Sequence, residues 1–261
     1  MIDFHTHIFP DKIAGKTLDF LSARCKTVPF TNGTAEGLRE SARNSGVDVS
    51  IALPVVTNPG QFESINRFAA QFLEGEILSF GGIHPESGDY KRELKELKNM
   101  GFRGIKLHPA YQETFFNDIR YKRIISYASE LGFIISVHGG FDPGYPDCIY
   151  ATPQMSAEVI DEVRPEKLVI AHMGGFYCWD DVERYLVGRD VYLDTAVVFG
   201  KIDDAQFVRI TRGHGVEKIL FATDSPWSGQ AESAEHFGRL PFNEDEKRKI
   251  LDENARKLLT L

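Results

Sequence analysis

The strongest constraint on the fold is a pattern that repeats from one end of the 261-residue chain to the other. A short run rich in Val, Ile, Leu and Phe is followed by a longer amphipathic stretch, and this unit occurs eight times. Runs that are apolar at nearly every position are typical of parallel strands buried on both faces. The eight predicted strands are Ile2–Ile8, Val47–Val56, Ile77–His84, Phe102–His108, Phe133–His138, Leu168–His172, Val191–Ala196 and Ile219–Asp224.

The stretches between these runs carry helix signals. Thr34 can cap a helix over Ala35–Asn44, and Gly46 follows just beyond its end. Eight strands alternating with helices over about 250 residues predict a (β/α)₈ TIM barrel, an α/β fold, as a single domain over residues 1–261. A doubly wound open sheet has the same alternation and is the alternative fold. The other predicted helices are Gln61–Leu73, Tyr90–Met100, Asp118–Leu131, Ser156–Val163, Asp180–Val187, Asp204–Arg212 and Phe242–Leu259.

Charge and hydropathy exclude several classes of partner. The net charge of -8 disfavours binding to nucleic acid, because an acidic surface repels phosphate backbones. No apolar run approaches the ~20 residues of a membrane span, and the amino terminus lacks the layout of a signal peptide. The three cysteines form no CxxC pair, so we expect reduced thiols and a cytoplasmic protein. The sequence is compatible with a homo-oligomer.

Six of the eight histidines fall at or near the carboxyl end of a predicted strand, which is the end of a barrel that carries active sites. His5 and His7 are the most informative pair, because alternate residues of a strand point to the same side. Two such imidazoles can bind one cation through nitrogen bonds of about 2.0–2.1 Å. The six residues are His5, His7, His84, His108, His138 and His172.

Other candidate site residues also end predicted strands. His138 and His172 each close a strand and are followed by paired glycines, which allow a backbone or a ligand to come close. Asp224 ends the eighth run, where a buried carboxylate is costly without a partner such as a metal ion. Asp194 ends the seventh run, and we interpret it as a supporting or structural residue.

A lysine in the fourth predicted strand is anomalous among apolar neighbours. Lys106 could bind an anionic group of the substrate, or it could be carboxylated and bridge two metal ions. His108 shares its strand face and is a second candidate for substrate binding, and Arg103 adds a further hint of an anionic substrate. The loop Gly139–Pro153, with three aromatic residues, is predicted to contribute to the wall of the substrate pocket.

These motifs resemble those of the amidohydrolase superfamily, and in particular of its amidohydrolase-related branch. That branch includes small metal-dependent hydrolases and the aminocarboxymuconate-semialdehyde decarboxylase group. The resemblance covers essentially the whole chain. The segments that carry it are Asp3-Phe4-His5-Thr6-His7, Gly104-Ile105-Lys106-Leu107-His108-Pro109, Val137-His138-Gly139-Gly140, Ala171-His172-Met173-Gly174-Gly175, Thr223-Asp224-Ser225-Pro226-Trp227 and the carboxy-terminal Asn254-Ala255-Arg256-Lys257-Leu258-Leu259.

The resemblance implies a distorted barrel with one or two divalent metal ions, most often zinc. It implies that His5, His7, His138 and Asp224 are the metal ligands. His172 would be either a catalytic group near the metal or a ligand of a second ion. In relatives with two ions, a carboxylated lysine at about the place of Lys106 bridges them.

The resulting hypothesis is a hydrolase that cleaves a C–N or C–O bond of a small anionic substrate, such as an amide, cyclic amide, lactone or ester. A divalent metal lowers the pKa of water toward about 7. Asp224 would accept a proton from that water, and His172 would hold or transfer a proton. Two alternatives remain open: a metal-dependent nonoxidative decarboxylase of an aromatic or unsaturated carboxylic acid, and a metal-binding barrel without catalytic activity.

Overall fold

In a computed structural model that describes residues 1–261, all eight predicted strands are present and every pairing between neighbours is parallel. The third predicted strand is divided into two pieces at Phe80, so that the chain has nine short strands. The strands are β1 (Ile2–Thr6), β2 (Val49–Ala52), β3 (Ile77–Ser79), β4 (Gly81–Gly82), β5 (Gly104–Leu107), β6 (Ile134–Val137), β7 (Leu168–Ile170), β8 (Tyr192–Asp194) and β9 (Ile219–Leu220).

The strands form a closed barrel, which rules out the open sheet. The order of pairing follows the chain, with β1 to β3 in one group and β4 to β9 in the other. Backbone bonds close the ring between the first and last strands: the amide of Phe4 donates to the carbonyl of Phe221 at 2.9 Å, and the amide of Asp224 donates to the carbonyl of His5 at 2.8 Å. The amide of His7 likewise donates to the carbonyl of Ser225.

Helices cover the outside of the barrel and begin mostly where capping residues predict. Thr34 accepts the amide of Gly37 at the start of α2, and Gly46 ends that helix in a left-handed conformation. No helix is both long and apolar enough to cross a bilayer. The helices are α1 (Asp11–Cys25), α2 (Ala35–Ser45), α3 (Phe62–Ala69), α4 (Tyr90–Met100), α5 (Ile119–Glu130), α6 (Pro153–Val163), α7 (Trp179–Tyr185), α8 (Asp204–His214), α9 (Gln230–Arg239), α10 (Glu244–Arg248) and α11 (Asn254–Leu259).

The last predicted helix, Phe242–Leu259, is present as α10 and α11 joined by a π-helical turn over Lys249–Glu253. Helix α11 packs its buried Ala255, Leu258 and Leu259 into the same apolar cluster as residues of the barrel strands. It therefore lies against the amino-terminal ends of the strands. The carboxyl ends on the opposite side are left free for polar side chains.

Two of the regular strands are shorter than the predicted runs because the backbone leaves the ladder before the functional residue that ends the run. His172 and Asp224 have φ angles of 61° and 67°, in the left-handed region that residues with a β-carbon rarely adopt. Backbone conformations of this kind are concentrated at functional sites. At His172 and Asp224 the backbone thus turns away from the strand and directs the side chain across the mouth of the barrel.

Candidate metal centre

His5 of β1 and His7, which directly follows that strand, meet an aspartate that follows β9 at the carboxyl end of the barrel. The Nε2 atoms of His5 and His7 lie 3.2 Å apart. Asp224 Oδ1 lies 3.4 Å from the Nε2 of His5 and 3.0 Å from the Nε2 of His7. His5 and Asp224 are buried. The structure therefore brings three of the four expected ligands within reach of a single ion.

Hydrogen bonds on the far side of each ring determine which nitrogen carries the proton. His5 Nδ1 donates to Asp194 Oδ2 at 3.0 Å, and His7 Nδ1 donates to the carbonyl of Leu53 at 2.8 Å. A neutral imidazole has a single N–H, so both Nε2 atoms carry lone pairs. Burial, assisted by the positive charge of Lys106, lowers the pKa of His5 well below its usual value, and the ring is therefore neutral near pH 7.

Three electron-rich atoms therefore converge on one small space, and they repel one another unless a cation lies between them. Two imidazole nitrogens and a carboxylate oxygen are a donor set that binds zinc and similar divalent metals. Asp194 behind His5 also accepts the backbone amides of His172 and Ala196, each at 3.0 Å. A carboxylate that orients a histidine in this way is typical of metal sites. The side chains present fit a divalent metal ion.

Lys106 projects from β5 into this cluster. Its Nζ lies 3.2 Å from His5 Nε2, and the side chain is 1% exposed. Burial lowers the pKa of the Lys106 ammonium to about 8, although the charges of Asp194 and Asp224 act in the opposite direction. The lysine is thus held beside the metal-binding atoms, mostly charged at pH 7 but easier to deprotonate than an exposed lysine.

His172 and His138 form a hydrogen-bonded pair on the next two strands of the barrel. His172 Nδ1 donates to the carbonyl of Ala196 at 2.9 Å, so its Nε2 accepts the Nδ1–H of His138 at 3.0 Å. The remaining nitrogen of His138, Nε2, is buried and has no partner. His138 therefore does not join His5, His7 and Asp224 in this conformation, although it was expected to be the fourth ligand.

His138 belongs instead to a group that includes an aspartate missed by sequence reasoning. Asp142 Oδ2 lies 3.8 Å from His138 Nε2 and 3.7 Å from His108 Nε2, and all three residues are buried. The rings of His108 and His138 stack with centroids 4.3 Å apart. Asp142 follows His138 by four residues in a glycine-rich loop, and its proximity to a strand-end histidine was the one available signal.

Aromatic side chains cover the outer side of this group. Tyr111 lies over His108 with ring centroids 4.2 Å apart, and Tyr145 packs edge-on against Tyr111. The guanidinium of Arg24 lies 4.3 Å from the centre of the Tyr145 ring. The loop Gly139–Pro153 thus contributes one aromatic ring to this cover, as well as the carboxylate of Asp142. Of the other two aromatic residues of the loop, Phe141 packs against Tyr177, and Tyr150 packs against Phe115 and Tyr145.

Two residues singled out in the sequence lie apart from these groups. Arg103 Nη1 donates to the carbonyl of Leu259 in α11, at the opposite end of the barrel. The suggestion that Arg103 contacts an anionic substrate is therefore wrong. His84 accepts the amide of Glu86 through Nδ1 and belongs to neither ligand group.

The sequence matches the family described as Amidohydrolase over residues 2–261. Comparison with curated proteins yields no match. Among solved structures, an uncharacterised TIM-barrel protein from Bordetella bronchiseptica is similar, with 18% identity, a TM-score of 0.78, and coverage of 100% of this chain and 98% of that one. A 2,6-dihydroxybenzoate decarboxylase from Rhizobium has 17% identity and a TM-score of 0.70, with coverage of 99% and 98%. A 5-carboxyvanillate decarboxylase from Novosphingobium aromaticivorans, complexed with manganese, has 14% identity and a TM-score of 0.73, with coverage of 100% and 96%.

Proposed function

The chain belongs to the amidohydrolase family, and from that premise we propose that it is a metal-dependent hydrolase of a C–N or C–O bond in a small molecule. The observation that carries the proposal is the convergence of His5 Nε2, His7 Nε2 and Asp224 Oδ1 on one buried point. A divalent ion bound there would lower the pKa of water and polarise a carbonyl group. We favour zinc, because nitrogen and carboxylate ligands suit it.

The residues around this point have separate roles in the proposal. Asp224 accepts the proton of the attacking water, because it is the carboxylate that faces both histidines. Asp194 keeps His5 in the tautomer whose lone pair faces inward. Lys106, in contact with His5, donates a hydrogen bond to the oxygen that becomes negative. As a carbamate, Lys106 would instead be a ligand, and its lowered pKa supports the uncharged amine from which a carbamate forms.

A nonoxidative decarboxylase is the second candidate, favoured by decarboxylases among the similar structures. Such an enzyme needs a cationic group that holds the carboxylate of the substrate. Lys106 or a bound metal ion could supply that group, so the buried cation does not separate the two reactions. We place hydrolysis first because Asp224 faces both histidines and can accept a proton from water.

The experiment loads metal-free protein with Zn²⁺ or Mn²⁺ and supplies lactones, cyclic amides, esters and hydroxybenzoates. We expect ring opening or ester cleavage without release of CO₂. The double variant His5→Ala/His7→Ala should lose this activity and its bound ion, whereas His236→Ala on helix α9 should retain both. Release of CO₂ from a hydroxybenzoate would favour the second candidate. Metal binding without turnover of any compound would favour a non-catalytic barrel.

A further inference from the structure

Strand β1 is irregular, because its pairing with β2 shifts between Asp3 and Thr6. Asp3 lies opposite Ser50 and Thr6 lies opposite Ala52, so the chain advances three residues on β1 but only two on β2. One extra residue on one strand is a β-bulge, and bulges next to active sites redirect a side chain. His5 lies within this bulge.

The bulge separates the directions of Asp3 and His5, which would lie on the same side of a regular strand. The His5 ring contacts Lys106 of β5 and Asp194 of β8, so it lies inside the barrel. The Asp3 carboxylate contacts Gln230 at the start of the outer helix α9. Without the bulge, His5 would follow Asp3 toward the helices. The position of His5 in the metal centre therefore depends on the bulge.

The Asp3 carboxylate is bonded both to the bulge and to the strand that leads to Asp224. Oδ1 accepts the backbone amide of His5 at 3.3 Å and that of Thr223 at 3.0 Å. Oδ2 accepts the hydroxyl of Thr223 at 2.6 Å and Gln230 Nε2 at 2.8 Å. Asp3 is completely buried, and each of its oxygens has two donors. One carboxylate thus links the backbone that carries His5 to the backbone that precedes Asp224.

Thr223 extends this link to the turn at Asp224. The Thr223 hydroxyl, which donates its proton to Asp3, accepts the amide of Ser225 at 3.1 Å. Its contacts therefore fix the chain on both sides of Asp224, whose φ of 67° lies in the left-handed region. A residue with a β-carbon persists there only when surrounding contacts offset the strain. The turn in turn places Asp224 Oδ1 within 3.4 Å of His5 Nε2.

We propose that Asp3 is a positioning residue of the metal centre, which fixes His5 and Asp224 relative to one another without binding the ion. It differs from Asp194 in acting on the backbone of the ligands, whereas Asp194 acts on a ligand ring. The inference rests on the metal site of the proposed function and is independent of which bond the enzyme cleaves.

The test measures the affinity of metal-free protein for Co²⁺, whose visible absorption depends on the geometry of its ligands. Asp3→Ala removes all four acceptor contacts and leaves every ligand in the sequence. We expect Co²⁺ to bind about 10–100-fold more weakly, which is typical for the loss of a group that orients metal ligands, and its visible spectrum to change. Circular dichroism verifies that the variant is folded.

Thr223 offers a matched pair of variants that does not depend on the folding of Asp3→Ala. Thr223→Val has nearly the same shape but lacks the hydroxyl that bonds to Asp3 and Ser225, whereas Thr223→Ser keeps that hydroxyl. We expect weaker Co²⁺ binding and an altered spectrum in Thr223→Val. Thr223→Ser should bind Co²⁺ with the affinity and the spectrum of the wild type.

Asn254→Ala is the control for a loss of stability alone. The buried amide of Asn254 donates to the carbonyls of Val216 and Ile219, both at 2.8 Å, at the opposite end of the barrel. This variant should unfold at a lower urea concentration and still bind Co²⁺ as tightly as the wild type.

Wild-type affinity in folded Asp3→Ala or in Thr223→Val would overturn the inference. Equal weakening in Thr223→Ser or in Asn254→Ala would also overturn it, because the effect would then follow from stability rather than from the hydroxyl link. A wild type that binds no Co²⁺ would refute the metal site and this inference together. A wild type that binds Co²⁺ but hydrolyses no compound would refute the hydrolase and leave the role of Asp3 in place.

Discussion

The tautomer of His5, of His7 and of His172 is set by the group that accepts a hydrogen bond from the ring nitrogen on the outer side of the cluster. Asp194, Leu53 and Ala196 accept protons from His5, His7 and His172, and in this way they direct lone pairs inward. The sequence predicts the histidines because they end apolar runs. It does not predict their partners, two of which are backbone carbonyls that any residue type could supply. Asp194 is recognisable only as a carboxylate at a strand end.

The pairing of His172 with His138 leads to a prediction about metal affinity. His172→Phe keeps an aromatic ring but removes the acceptor for His138 Nδ1–H, so the tautomer of His138 is no longer fixed. Loss of such a supporting contact typically weakens metal binding by about 10–100-fold. We expect this loss for the divalent ion, because His138 is its expected fourth ligand. Competition with a chelator measures the affinity.

Partial rescue by His172→Asn, whose amide oxygen can accept the same proton, would support a positioning role for His172. A His172→Phe protein that binds metal as tightly as the wild type would contradict this assignment.

At the scale of elements, strands were easier to predict than helices. The runs that end at His108, His138 and His172 are apolar because the barrel buries them on both faces, and this signal survives in the sequence. Helix α1 was not predicted, because it buries only Ala14 and Leu18 and its preceding Pro10 offers no side-chain cap. Helix α9 was missed for the same reason, since two of its three buried residues are polar and Gly229 offers no cap.

One glycine has a structural role that alanine could not fill. Gly140 has a φ of 84°, and a β-carbon there would lie 2.1 Å from the backbone nitrogen of Phe176. Gly140→Ala should therefore destabilise the protein by at least about 2 kcal/mol, from strain and displaced backbone. Urea unfolding measures the change.

The matched control is Gly15→Ala in the middle of α1, where an added β-carbon meets nothing within 4 Å. It should raise stability by about 0.5–1 kcal/mol, because alanine favours the helix. A Gly140→Ala protein within about 0.5 kcal/mol of the wild type would show that the loop can shift to accommodate the β-carbon.

At the scale of the whole molecule, the stability should depend on pH through a histidine far from the metal centre. His214 Nε2 donates to the carbonyl of Val191 at 2.8 Å and its Nδ1 accepts the amide of Gly188 at 3.3 Å, so the neutral ring satisfies both. Burial lowers the pKa of His214 below its usual 6.5. The unfolded chain therefore takes up a proton first as the pH falls below about 6.5.

The free energy of unfolding should consequently decrease below this pH, by at most about 1.4 kcal/mol per pH unit for one proton. His214→Gln lacks the titrating group and is the comparison. The stability advantage of the wild type over this variant should shrink between pH 7 and pH 5. A constant difference over that range would refute the assignment to His214.

The architecture as a whole was predictable from eight repeated units, whereas the division of the centre into two groups was not. Closure of the barrel depends on backbone bonds between residues such as Phe4 and Phe221, which no local pattern encodes. Asp142 reaches the centre from an irregular loop whose path depends on tertiary contacts at Gly140. Sequence reasoning therefore identified most of the polar residues that the structure brings together at one end of the barrel.

The bonds that join the two ends of the chain have a consequence for the order of folding. His5 and Asp224 meet at the seam between the first and last strands, across a separation of about 220 residues, for which the entropic cost of loop closure is about 5 kcal/mol. A nascent or partly folded chain can form most of its helices and strands before this seam exists. Because His5 and His7 lie on one side of the seam and Asp224 on the other, these ligand atoms come together only when the seam has formed. An ion that needs all three would therefore stabilise the closed barrel.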